Sequence, residues 1–116
     1  MDERDLLKRT KQFALRVLKL AAALPKNDVV RPIVTQLVKS GTSVGANYRS
    51  ACRGRSKAEF IAKIGIVEEE ADESAYWMEL LVEAKIVRER LVQGLLDKAN
   101  QLARIMAASK LTAKRS

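Results

Sequence analysis

The chain has 116 residues, 47% apolar but only 4% aromatic, so it forms one domain whose core must be built from Leu, Ile, Val and Ala. Two prolines and five glycines leave little punctuation for strands and turns, which favours helices. The net charge of +8 suggests an anionic partner, though basic residues that merely face water give the same number.

The first apolar stripe is Leu6, Thr10, Phe13, Val17, Leu20 and Leu24, stepping by four and three, which predicts a helix over residues 3–24. Its run from Val17 to Leu24 is interrupted by Lys19 and preceded by charges. It is too short for a bilayer and too charged upstream for a secretory signal, so a cytoplasmic protein with no membrane contact is expected. Leu24-Pro25 ends the helix, because a residue before proline avoids the α region, and Asn27 or Asp28 can cap the next one. A second helix over 29–52 follows from Val30, Val34, Leu37, Gly41, Val44, Tyr48 and Ala51, with Pro32 tolerated near its start.

Arg53-Gly54-Arg55 is the loop. Ser56 and Glu59 then form a capping box that opens a third helix over 57–84, about 40 Å long. Phe60, Ile64, Val67, Ala71, Ser74, Met78 and Leu81 hold its stripe. No glycine or proline marks its end, and a helix running on to Lys110 would be unusually long, so the turn is placed at Lys85-Ile86-Val87. Val92, Leu95, Ala99, Leu102 and Met106 carry a fourth helix over 88–109, and the basic segment 110–116 is expected to fray. Four amphipathic helices with short connections predict an all-α, up-and-down antiparallel four-helix bundle, one domain over 1–116.

Cys52 is the lone cysteine and there is no histidine, which excludes disulfides within the chain, His-based catalysis and Cys or His metal sites. Beside Arg49 and Arg53 the Cys52 thiol could be activated, but a half-buried structural thiol is the better reading. Gly41 and Gly45 are spaced G-x-x-x-G inside a helix with no strand before them, so they are neither a P-loop nor a dinucleotide motif. Each glycine costs about 1 kcal/mol of helix propensity, so a packing reason is expected: a groove that seats a helix of the same bundle or of another subunit. Trp77 and Leu80 share the second, partly apolar face of helix three and belong with that packing or oligomer surface.

Glu69, Glu70 and Glu73 cluster on helix three. A di-iron bundle would need Glu-x-x-His, which this chain lacks. Magnesium-dependent all-α nucleotide pyrophosphohydrolases carry E-E-x-x-E, which Glu69 to Glu73 matches, but their second motif, E-x-x-D, is broken here because Gly94 stands three residues before Asp97. The structural alternative is a polar network in which Glu70 and Glu73 bond to Asn47, Arg49 or Arg16 on neighbouring helices. Neither a metal nor a cofactor is expected.

Arg49, Arg53, Arg55 and Lys57 place +4 within nine residues at the joint of helices two and three. Arginine suits phosphate because its planar fork donates two parallel hydrogen bonds. Only Tyr48 is interleaved, so stacking and sequence readout should be poor, and binding should be salt-sensitive and sequence-tolerant. A solvated turn that only keeps the protein soluble is the alternative.

The combination of Gln36 and Ser40, Ser43 and Asn47, the basic turn Arg53 to Ser56, Phe60, and Glu70, Glu73 and Trp77 resembles a known family. It is similar to the four-helix-bundle proteins encoded in intervening sequences of bacterial 23S rRNA genes, also labelled S23-like ribosomal proteins. Phe13, Arg16 and Leu24-Pro25 agree, whereas Ser50 stands where family members usually have glutamate. The resemblance implies a homopentamer with no established enzymatic activity. A more distant relative, the accessory protein of diversity-generating retroelements, is a pentameric bundle that binds nucleic acid and a reverse transcriptase. By analogy rRNA or another nucleic acid is the expected partner, beside other copies of the chain.

Overall fold

A computed structural model describes residues 2–116. Four helices follow in order: α1 Glu3–Ala23, α2 Val30–Cys52, α3 Lys57–Glu83 and α4 Glu89–Arg115. The first three start at a side-chain cap, whereas Arg88, before α4, makes none. Asp2 Oδ1 accepts from the Asp5 N–H at 2.8 Å. Asn27 Oδ1 accepts from the N–H groups of Val29 and Val30, both at 3.0 Å, so of the two candidates Asn27 is the cap. Ser56 Oγ accepts from the Glu59 N–H at 3.1 Å. The Glu59 carboxylate reaches back to the Arg55 N–H at 3.4 Å, one residue before the donor a capping box would predict.

The turn after α3 lies where the sequence places it, and it is built without glycine. Ala84 is the C-cap, and Lys85 takes the left-handed conformation at φ 59°. The Ile86 N–H bonds to the Leu81 carbonyl at 2.9 Å and the Lys85 N–H to the Val82 carbonyl at 3.0 Å, the Schellman pattern. Ile86 packs on the core, which holds the motif in place of the usual glycine.

The 110–116 segment differs from expectation. Helix α4 runs on to Arg115 because its last turns are tied to α3. Lys110 Nζ bonds Glu68 Oε1 at 2.8 Å, with both side chains about one-third exposed, and Lys57 Nζ donates to the Ser116 carbonyl.

Helix α1 packs on α2 and α4, and α3 packs on α2 and α4. Among the described residues the diagonal pairs α1–α3 and α2–α4 do not meet, so the topology is the expected up-and-down bundle, 47 × 20 × 19 Å. The core is the set of inward stripes: Val17, Leu37, Val44, Ile64, Met78, Leu81, Val92, Leu102 and Met106 are all fully or almost fully buried. Each such side chain contributes about 1.5–3 kcal/mol by leaving water.

Candidate nucleic-acid interface

The antiparallel order brings the start of α1, the end of α2, the start of α3 and the end of α4 to one end of the bundle. Arg49, in the last turn of α2, Arg53, its C-cap, Arg55 in the loop and Lys57 in the first turn of α3 are all exposed there. The Lys57 contact with Ser116 brings the end of α4 to the same place, adding the exposed Lys114 and Arg115. A run of sequence could not show this, since 59 residues separate the two partners. The topology was the available signal: in an up-and-down bundle the fourth helix must end beside the third helix's start.

Arg49 and Arg53 point the same way, as their spacing predicts. Both rim an open groove of about 720 Å³ between α1 and α2, across from Lys8 and Lys11 of α1. Its floor is short-chained, with Ala14, Thr42, Gly45 and Ala46. Cys52 also lines it, but burial pushes its thiol pKa up, and this outweighs the opposing hydrogen bond from Tyr48. At neutral pH it is a thiol and not a thiolate nucleophile. Burial also raises the Tyr48 pKa, so that phenol stays neutral.

Gly41 and Gly45 seat a helix of the same bundle. A Cβ on Gly41 would stand 2.7 Å from Val17 Cγ1, and one on Gly45 would stand 3.2 Å from the Thr10 carbonyl oxygen. Helix α1 therefore fills the glycine groove. Trp77 and Leu80 lie elsewhere, on α3, which does not touch α1. Both are half-buried. The Trp77 ring meets Tyr76 edge-on at 5.1 Å, and its Nε1 is buried with no hydrogen-bond partner among the described residues.

The expected network of Asn47, Glu70 and Glu73 does not form. Asn47 Nδ2 donates to the Ser43 carbonyl of its own helix at 2.9 Å. Glu73 is exposed, and Arg16 on α1 lies against Gly94 of α4, away from α3. Glu70 is half-buried, and burial first, then Glu73, raises its pKa against the pull of Lys39. The polar link between α2 and α3 is made by smaller groups: Ser74 Oγ lies 3.0 Å from Ser40 Oγ and 2.8 Å from the Glu70 carbonyl. Both serines are fully buried, and a hydroxyl pair fits between close helices where a glutamate and an asparagine do not. Among the described residues no three His, Cys, Asp or Glu side chains converge to hold a metal ion. No described helix is long and apolar enough to cross a membrane.

An all-helical bundle with a cluster of basic side chains at one end and more than half of its acids on one helix is the class these features define. The chain belongs to the 23S rRNA-intervening sequence protein family, whose family model matches residues 2–108. It is similar to a solved protein of unknown function from the S23 ribosomal protein family of Bacteroides thetaiotaomicron VPI-5482. The two superpose with a TM-score of 0.80 at 26% identity, over 90% of this chain and 97% of that one. No curated protein matches the chain in sequence.

Proposed function

We propose that this protein is a non-enzymatic, cytoplasmic, homopentameric bundle that binds RNA through its basic end, with little preference for sequence. The observation that carries the reading is the gathering of Arg49, Arg53, Arg55, Lys57, Lys114 and Arg115 at one end from three helices and a loop. These side chains are exposed and offer the forks and ammonium groups that phosphate takes. The family's description refers to 23S rRNA intervening sequences and the solved neighbour is assigned to a ribosomal protein family, which favours RNA over other polyanions. The pentamer rests on the family resemblance. In a ring the basic end repeats, so individually weak sites add through effective concentration.

Fluorescence anisotropy with RNA and DNA across a salt series tests the binding. Each phosphate neutralised contributes about −0.7 to −0.9 to the slope of log affinity against log salt. Arg53→Ala/Arg55→Ala should bind more weakly and with a shallower slope. Equal affinity with an equal slope places the site elsewhere. Light scattering that gives 12.9 kDa at micromolar concentration removes the oligomer. Magnesium-dependent release of pyrophosphate from nucleoside triphosphates replaces the non-enzymatic reading with the Glu69/Glu70/Glu73 hydrolase.

A further inference from the structure

Helix α3 is charged unlike the other three. It carries eight acids and two bases, whereas α1 and α4 each carry six bases and two acids, and α2 carries three bases and no acid. Three of the acids of α3, Glu69, Glu73 and Glu83, lie on its outward side. Ile66, Glu69, Glu73, Tyr76, Leu80 and Glu83 step by three and four along its outward side, opposite its buried stripe. On α1, Arg4, Lys8, Lys11, Leu15, Leu18 and Ala22 do the same, opposite Leu6, Thr10, Phe13 and Val17.

Both outward ridges mix charge with exposed apolar surface. Leu15 and Leu18 are 59% and 44% exposed, and Ile66 and Tyr76 38% and 52%. These four belong to the seven large apolar side chains left exposed among the described residues; the others, Val29, Leu91 and Leu111, lie off the two ridges. The ridges have opposite sign. They also sit on diagonal helices that do not touch, so one copy cannot pair its own.

We propose that the basic outward ridge of α1 docks on the acidic outward ridge of α3 in a second copy of this chain, head to tail. This rests on the oligomer reading above and names the surface that makes it. A second copy is the one partner certain to bring both complements at once. A nucleic acid on α1 would leave Leu15 and Leu18 in contact with nothing suited to them, and would leave the α3 ridge bare. Because each copy uses two different faces, the contact is heterologous and closes into a ring when the rotation between copies allows it. Rotational symmetry sets every copy's basic end on the same rim. Lys8 and Lys11 are then taken by the neighbouring copy, and Arg53, Arg55, Lys114 and Arg115 stay open at the end.

Light scattering on four proteins tests this: native, Lys8→Glu/Lys11→Glu, Glu69→Lys/Glu73→Lys, and the combination of all four changes. All four side-chain replacements are at exposed sites, and circular dichroism checks that each protein keeps the native helix content. The expected result is an assembled native protein, two double variants that drop to the 12.9 kDa monomer, and a fourfold variant that regains the native mass with the signs exchanged. Leu15→Asp, which alters the apolar part of the ridge alone, should also give a monomer. A native monomer overturns the oligomer reading itself. A native assembly that both double variants preserve overturns this interface and leaves the oligomer standing. Two monomeric double variants without recovery in the fourfold variant also overturn it, since the two faces then meet different surfaces. If Lys8→Glu/Lys11→Glu keeps its mass but loses RNA binding, nucleic acid covers the α1 ridge and the proposal fails.

Discussion

Toward the core, α2 and α3 use one device: large apolar side chains at three- and four-residue steps, with Leu37 and Met78 each at 0% exposure. On their flanks they part. The flank of α2 toward α1 is stripped to glycine, because Val17 and the Thr10 backbone occupy the space where a Cβ would go. Helix α3 also has a glycine, Gly65, but a Cβ there would meet nothing within 4 Å. The same residue type inside two helices of one bundle therefore serves a close approach in one and no packing need in the other. Neighbours decide what a helical glycine is for, and spacing alone does not.

The shared core gives the largest effects. Leu37→Ala and Met78→Ala should each cost about 2–5 kcal/mol, read from urea unfolding followed by circular dichroism. A small loss at either position breaks the likeness of the two core faces. Next comes the glycine flank. Gly41→Ala gains about 1 kcal/mol of helix propensity, yet should destabilise by about 1–3 kcal/mol net, because the stiff, fully buried Val17 must move. In a Val17→Ala background the same change should cost much less. Equal costs in both backgrounds would show that Val17 is not what excludes the methyl group.

The bundle was legible in the sequence because the stripes persist over whole helices, and period is the strongest local signal. Even the glycine-free turn at Lys85 could be placed, by helix length rather than by any turn residue. The α1–α2 glycine contact was half legible: Gly41 and Gly45 announced a close approach, but not whether Val17 and Thr10 or another subunit made it. The polar link between α2 and α3 was misread. Glutamates and asparagine look like network formers in a sequence, and whether they reach each other depends on which helix corners are near. Ser40 and Ser74 form the link through close backbones, which no spacing reveals. The basic end was seen in part, since Arg49 to Lys57 are consecutive, while Lys114 and Arg115 join them only through the return of α4.

Gly65→Ala should have the opposite sign to Gly41→Ala. The open space around Gly65 leaves the helix-propensity gain unopposed, so thermal and urea melts should show stabilisation of about 0.5–1 kcal/mol. A loss of stability would mean that something absent from the single bundle, such as another copy, lies against that position. Comparing the melts at two protein concentrations separates these, since only a contact between copies depends on concentration.

Glu70→Gln gives the smallest effect and concerns the flank of α3 toward α2. Burial, with Glu73 and Glu69 adding to it and Lys39 opposing, holds the Glu70 pKa above its ordinary 4.5. A carboxyl whose folded-state pKa is raised binds its proton more tightly in the folded state than in the unfolded one. Its contribution to stability is therefore greatest below the unfolded-state pKa and is lost as pH rises through the folded-state value. At pH 7 the ionised Glu70 is held at a cost, which the half-exposed position and nearby Lys39 keep to about a few tenths of a kcal/mol. Glutamine has the same shape and no charge, so the variant should be slightly more stable than the native protein at pH 7. The gap should close near pH 4, where native Glu70 is protonated. Urea unfolding of both proteins at the two pH values measures it. A gap of the same size at pH 4 and pH 7 would assign the difference to packing or hydrogen bonding, and the ionisation of Glu70 would then have no part in holding α3 against α2.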